Sequence, residues 1–327
     1  MKRFLIKLVS PLYSPILLII IAFVVYKCLA KDITGDLGKI GQIVFSKEYH
    51  LQPKFEENVE KELCWCHSKE LKNYDLVFIG DSFTKMGYPC YLCNKTNKNG
   101  VQYLIKTESP EQTFMSLYNT EVDLPFVIVL ESVERSIVER LTKLYYSSIS
   151  TGEPIALSYK PEQEKQTDFS TLYKNHLINY HSVRHLHLKE SLFSCPKKEM
   201  ELYFYHDDLR FPDEEQIQIA ISKLDTLFQL ANKRQIQLFY VIAADKYDVY
   251  QDFAIDNPYP KKTVLESFSQ FESNPFFVNT RSLLYTKAKE GVTDLYYADD
   301  THWSPVGAKI VAEEIARRMD SLGIFQK

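Results

Sequence analysis

The sequence predicts an α/β fold: a three-layer α/β/α arrangement around a mainly parallel sheet, preceded by one N-terminal transmembrane helix. Three observations carry this reading. Short apolar runs of strand length recur along the chain, segments of helical apolar spacing separate them, and an uncharged stretch of membrane-spanning length opens it.

The elements follow in order. Lys2, Arg3 and Lys7 make a basic tip, residues 1–7, ahead of the uncharged stretch from Leu8 to Tyr26 with its apolar core Ile16 to Val25. Residues 8–30 read as an anchor, with the positive flank on the cytoplasmic side and the body of the protein outside the cytoplasm. A cleaved signal peptide is the alternative, since Cys28-Leu-Ala30 loosely imitates a cleavage site, although Lys27 interrupts the small-residue region that a peptidase reads. Residues 31–60 read as a charged stem and 61–327 as the main domain, long enough for a single sizeable α/β core.

Within that domain, Leu76 to Ile79 reads as a short, fully buried strand, and Gly80 permits a tight turn after it. A helix starts at Ser109-Pro110, the run Phe126 to Leu130 is a strand, and a helical stretch follows around Ser136 to Tyr145. Between Asp213 and Arg234 the apolar positions Ile217, Ile221, Leu224, Leu227, Phe228 and Ala231 keep helical spacing. Leu238 to Ala243 and Phe276 to Val278 are the last strands. Strands separated by helices imply right-handed crossovers. The polar, His- and Tyr-rich section from about 147 to 208 reads as an insertion, either shaping a substrate groove or running over the surface.

Composition excludes several classes. A hydrophobic content of 45% and an aromatic content of 13% rule out a disordered chain. A net charge of −4 gives no hint of nucleic-acid binding.

The chemistry sits in two separated motifs, Gly80-Asp81-Ser82-Phe83-Thr84 and Asp299-Asp300-Thr301-His302-Trp303-Ser304-Pro305. Ser82 lies at the carboxyl end of the first strand, the edge at which open α/β sheets bind ligands. Ser304 as N-cap and Pro305 at N1 open the last helix, with Ala308, Val311, Ala312, Ile315 and Met319 as its buried face. His302 therefore lies on the loop just before it. A serine hydroxyl needs an imidazole to take its proton and a carboxylate to fix the imidazole's tautomer. Ser82, His302 and Asp300, or Asp299 in place of Asp300, supply all three.

The Gly-Asp-Ser block near the start and the Asp/His block near the end resemble the SGNH hydrolase superfamily over roughly residues 70 to 325. Asp-Thr-His-Trp-Ser-Pro-x-Gly looks most like the branch of alginate O-acetyltransferase-like proteins of the bacterial cell envelope, as do Val127 to Ser136 and Val241 to Tyr250. This resemblance implies acetyl transfer to polysaccharide hydroxyls through a Ser82-linked acetyl-enzyme, without a cofactor. It also implies a periplasmic catalytic domain on the inner membrane and a membrane-bound O-acyltransferase partner supplying acetyl groups. An acetyl or carbohydrate esterase and an inactive polysaccharide-binding scaffold are the alternatives. Two departures stand out. In the alginate acetyltransferases the Asp-x-His motif precedes the serine, whereas here Ser82 comes first. The acid stands two residues before the histidine in that branch (Asp300) and three before it in many hydrolases (Asp299). Asp300 is preferred because Asp-Thr-His-Trp matches as a block.

The Ser82 N–H is one oxyanion donor, and the Gly and Asn blocks that supply others in typical members have no clear counterpart. Asp81, Thr84, Arg135, Lys246 and Trp303 are candidates for oxyanion or substrate contacts: Arg135 after a strand, Lys246 in the Asp245-Lys246-Tyr247 wall of the cleft, Trp303 as a sugar-stacking or packing ring. Cys64-x-Cys66 and Cys90-x-x-Cys93 have spacings that suit zinc, but an exported protein favours disulfides. Cys28 and Cys195 are unassigned. His176, His181, His185 and His187 tempt a metal reading, His185-x-His187 above all. They lack a carboxylate or Cys at ligand spacing, and no metal site is expected.

Overall fold

In the computed structural model the described residues are 18–19, 21–22, 35–37, 74–104, 109–119, 126–145, 182–195 and 198–325. The strands are β1 (Leu76–Gly80), β2 (Gly100–Leu104), β3 (Val127–Val133), β4 (Val183–His187), β5 (Glu201–Tyr205), β6 (Gln237–Ala243) and β7 (Phe277–Asn279). β1 and β3 are buried at every position. β1, and β3 as far as Leu130, run continuously apolar instead of alternating because a parallel strand is covered on both faces.

The main sheet has five strands in the order β2-β1-β3-β6-β7, and every pair is parallel. The chain leaves β1 for one neighbour, β2, then returns past it to the other, β3. That reversal puts a crevice beyond the carboxyl ends of β1 and β3, where ligands bind in open α/β sheets. Ser82 follows β1 and Arg135 follows β3, so the topology alone brings them to one edge.

Helices cover the sheet: α1 (Tyr88–Thr96), α2 (Pro110–Asn119), α3 (Glu134–Thr142), α4 (Glu214–Lys233), α5 (Lys246–Tyr250), α6 (Thr280–Lys289) and α7 (Pro305–Ser321). α7 packs on α1, and α3 on α4. The Asp213 carboxylate caps α4 by accepting the Gln216 N–H. Ser304 caps α7 by accepting the Val306 N–H at 3.0 Å, with Pro305 in the first turn. The strands and helices expected after residue 70 are present, with β3 starting at Val127 and running three residues past Leu130. β2, β4, β5, α1, α5 and α6 are present besides the elements expected from the sequence.

Inside the polar 147–208 section, β4 and β5 form a two-stranded antiparallel sheet. It docks on the body through an isolated bridge between Leu188 and Ala254 and through Phe204, whose ring lies 4.6 Å from that of Tyr247 on α5. Residues 147–181 of that section lie outside the described residues, as do His176, His181, Cys28, Cys64 and Cys66. The same holds for the anchor, apart from helical positions at 18–19 and 21–22, and for the stem, apart from 35–37. Among the described residues no helix is long and apolar enough to cross a membrane. No disulfide is found among them either, and Cys195 is a buried free thiol.

Candidate active site

Two loops meet at the crevice. The first is the turn after β1, and its shape is set by groups from β3. Glu131 is completely buried, and its Oε2 accepts the Asp81 N–H at 3.1 Å, the Thr84 N–H at 3.2 Å and the Thr84 hydroxyl at 2.7 Å. Asp81 turns back the other way. It accepts the Phe83 N–H at 3.0 Å, the Val133 N–H at 3.2 Å and the Arg140 guanidinium at 2.9 Å. A Cβ at position 80 would stand 1.9 Å from Thr84 Oγ1 and 2.7 Å from Glu131 Oε2, so only glycine admits this close packing. The amides of Asp81, Phe83, Thr84 and Lys85 all have acceptors. That of Ser82 has none among the described residues.

These surroundings move the two carboxyl groups apart. Burial and the Asp81 charge beside it push Glu131 well above the ordinary carboxylate range. Burial opposes ionisation of Asp81 too, but Arg140 and the Phe83 N–H outweigh it and keep Asp81 an anion.

The second loop runs from Tyr296 to Trp303, closed by an antiparallel bridge between those two residues. Lys246, at the start of α5 and fully buried, fills its centre. The ammonium donates to the carbonyls of Tyr297 at 2.7 Å, Ala298 at 2.9 Å and Asp300 at 3.1 Å. Burial lowers its pKa to about 8, opposed by the charges of Asp299, Asp300 and Asp36. Three carbonyl contacts use all three donors of an ammonium, so Lys246 shapes the loop and has no proton left for substrate.

From this loop His302 reaches Ser82. Its Nε2 lies 2.6 Å from Ser82 Oγ, and its Nδ1 lies 2.6 Å from Asp300 Oδ1. Asp300 Oδ1 also accepts the His302 backbone N–H at 3.0 Å, which fixes the carboxylate against the ring it orients. With Nδ1 donating to Asp300, Nε2 is left to accept the serine proton. The Phe83 ring, 4.7 Å from the imidazole, covers the histidine. His302 is buried while Ser82 is exposed, which suits a shielded base and an accessible nucleophile. Burial disfavours the imidazolium, but the hydrogen bond and charge of Asp300, helped by Asp36, outweigh it and raise the His302 pKa. Asp300 is depressed in turn.

Asp36 had no place in the motif reading. Its carboxylate accepts the Thr301 N–H at 2.7 Å and lies 3.4 Å from His302 Nδ1, and its own N–H donates to Asp300 Oδ2 at 3.2 Å. Burial and the neighbouring Asp300 push its pKa up to about 6. Gly35 makes the approach possible, since a Cβ there would stand 2.0 Å from the Asp299 carbonyl oxygen.

The other sequence candidates take different places. Asp299 is buried but is not the carboxylate on His302 Nδ1. Asp81 and Thr84 build the turn from below. Trp303 is fully buried, donates its indole N–H to the Phe83 carbonyl at 3.2 Å and packs edge-on against Phe83 and Tyr88. It offers no face to a sugar ring. Arg135 pairs with Asp245 and, at 3.4 Å, with Asp208, and lies 5.6 Å from the Tyr205 ring centroid. Its side chain keeps 17% exposure, enough to meet a ligand at the crevice.

Over residues 201–326 the chain matches the SGNH hydrolase-like domain of the acetyltransferase AlgX. The AlgX-type stretch runs from β5 to α7 and includes Asp300 and His302, while Ser82, Glu131 and Arg135 lie before it. The mainly parallel sheet with helices agrees with such a domain. No curated protein and no solved structure matches the chain.

Proposed function

We propose that this protein is an extracytoplasmic O-acetyltransferase that moves acetyl groups onto polysaccharide hydroxyls through a Ser82-linked acetyl-enzyme. The observation that carries the reading is the hydrogen-bonded line Ser82–His302–Asp300, with 2.6 Å at each step. Ser82 Oγ attacks the acetyl carbonyl carbon as its proton passes to His302 Nε2. The Ser82 N–H holds the developing oxyanion. Collapse expels the donor's alkoxide or equivalent leaving group, which takes the proton back from His302. A sugar hydroxyl then gives its proton to His302 as it attacks the acetyl carbon, and collapse breaks the bond to Ser82 Oγ, which takes that proton back from His302. Asp300 keeps the imidazole in one tautomer and stabilises its charged form.

Supporting the transferase reading are the AlgX-type match and the exposure of Ser82, which lets a long acceptor lie across the nucleophile. The same exposure admits water and favours, as second reading, an acetyl esterase acting on carbohydrate. A binding scaffold with a silent serine is the third. On the transferase reading the acetyl donor is handed over by a membrane-bound O-acyltransferase. The uncharged stretch Leu8 to Tyr26 anchors the chain in the inner membrane, with its body in the periplasm.

The test is intact-mass analysis of the full chain after p-nitrophenyl acetate, with and without oligosaccharide acceptors. A gain of one acetyl group that vanishes in Ser82→Ala and discharges onto sugar supports the transferase. Discharge to water alone selects the esterase. No acetylation and no ester turnover in the parent would leave the scaffold.

A further inference from the structure

The β4–β5 hairpin carries a second constellation, remote in sequence from the serine. His185 and His187 are two residues apart on β4, so their side chains share one face of the ribbon. Across the ladder, the residue in register with His187 is Glu201. Its carboxylate contacts His185 Nε2 and stands 3.4 Å from His187 Nδ1. One ligand atom from each of the three lies within 4.8 Å of the others. The carboxylate missing from the sequence pattern is therefore supplied by strand register.

We infer that His185, His187 and Glu201 form a binding site for a divalent transition metal, zinc above all. Two imidazole nitrogens and one carboxylate oxygen are a donor set that zinc takes with its fourth position open. Tetrahedral bonds of about 2.1 Å require donors roughly 3.4 Å apart, so the three groups converge with only small side-chain rotations. Imidazole ligands select zinc, copper, nickel and cobalt over magnesium and calcium, which want oxygen. The site is also supported. His185 stacks on Tyr203 with centroids 4.5 Å apart, which restrains the ring. The His187 carbonyl accepts the Ile255 N–H at 2.8 Å, and the Lys189 N–H donates to the Phe253 carbonyl at 2.8 Å. These bonds fasten the His187 end of β4 to the segment following α5. His185 and His187 are exposed and Glu201 half-buried, so an ion reaches the site without unfolding. A bound ion ties β4 to β5 and leaves its open position toward solvent for water or an anionic group.

The experiment is zinc titration of the full chain, reading metal content after gel filtration and thermal unfolding. The expected result is about one zinc per chain at micromolar concentration, with a raised midpoint. His187→Ala and Glu201→Gln should each weaken binding at least tenfold, while His206→Ala, on the same hairpin but outside the cluster, leaves it unchanged. Magnesium should give no shift. Because zinc ligands must be deprotonated, retention should fall as the solution is acidified. Cobalt in place of zinc should give a nitrogen/oxygen spectrum without thiolate charge-transfer, separating this site from any built by Cys64, Cys66, Cys90 or Cys93. In the unmodified chain, zinc should shift the His185 and His187 ring resonances. Zinc retained equally by the variants, a thiolate signature, or unmoved resonances in the parent would each overturn the assignment.

Discussion

The Asp36 carboxylate stands 3.4 Å from His302 Nδ1, so the imidazole facing Ser82 answers to a second anion besides Asp300. An anion at that distance stabilises the imidazolium and makes the base release its proton at higher pH. Replacing it with a neutral isostere, Asp36→Asn, removes that charge and keeps an oxygen for the Thr301 N–H. The His302 pKa should then fall, and the acid limb of the kcat/KM profile should move to lower pH by about half a pH unit or more. Since Asp300 remains, the plateau rate should drop by no more than about tenfold. An unmoved acid limb would show that Asp36 is packing alone.

Asp300 and Asp299 are separable by the same kind of substitution. Asp300→Asn leaves the loop in place but offers Nδ1 an amide, which favours the wrong imidazole tautomer. Ester turnover should fall by about 10⁴. Asp299→Asn leaves the Nδ1 partner intact and should cost far less. Turnover measured for both variants decides it, and equal losses would reject Asp300 as the orienting acid.

Glu131 gives a stability test whose sign depends on pH. Its folded pKa is raised by burial and by Asp81. The stability this contributes is full below the unfolded value of about 4.5 and is lost as pH climbs toward the folded one. Glu131→Gln cannot ionise and keeps an acceptor for the Asp81 and Thr84 amides. Its unfolding midpoint should therefore gain on the parent's as pH rises from 5 to 8. Glu131→Ala orphans two amides and a hydroxyl and should cost about 2–4 kcal/mol. A midpoint difference between Glu131→Gln and parent that is flat with pH would show that the carboxyl is ionised in the fold.

How far these features were legible differs by residue. Ser82 and His302 could be found because each sits beside a local signal, a glycine after a buried strand and a Ser-Pro helix start. Asp36 gives no such signal: its bond to Asp300 spans 264 positions of sequence, and only the tertiary approach of Gly35 to Asp299 makes it a neighbour. Glu131 did leave a trace. A carboxylate inside the apolar run of β3 has to be satisfied by something, and the turn beside the neighbouring strand is what satisfies it. Four strands of the sheet, β1, β3, β6 and β7, were readable because burial on both faces gives them apolar runs, whereas β2 carries Gln102 between Val101 and Tyr103 and shows no such run. β5 hid in a polar section, although Leu202 and Phe204 are buried and alternate with half-buried Tyr203 and Tyr205. Its pairing with β4 is a matter of register, which spacing along one strand does not encode.

Lys246 provides the last test, because its charge holds together the loop that carries both Asp300 and His302. Lys246→Met fills similar volume but withdraws three donors and leaves the Tyr297, Ala298 and Asp300 carbonyls unpaired. A cost of about 2–4 kcal/mol should follow, each orphaned buried acceptor being expensive and the removed charge burial offsetting part of it. The loop should then hold His302 less firmly against Ser82, lowering kcat by about ten- to a hundredfold with KM nearly unchanged. In the parent the lowered pKa of about 8 has an opposite consequence for stability. The unfolded chain holds the proton up to about 10.5, so the folded state becomes relatively more stable as pH rises from 8 to 10.5. The neutral amine nonetheless has one donor fewer for the three carbonyls, and turnover should decline over that same range. Stability rising while turnover falls between pH 8 and 10, both absent in Lys246→Met, is the expected pair of outcomes. A parent turnover that stays level across that range would remove Lys246 from the positioning of His302.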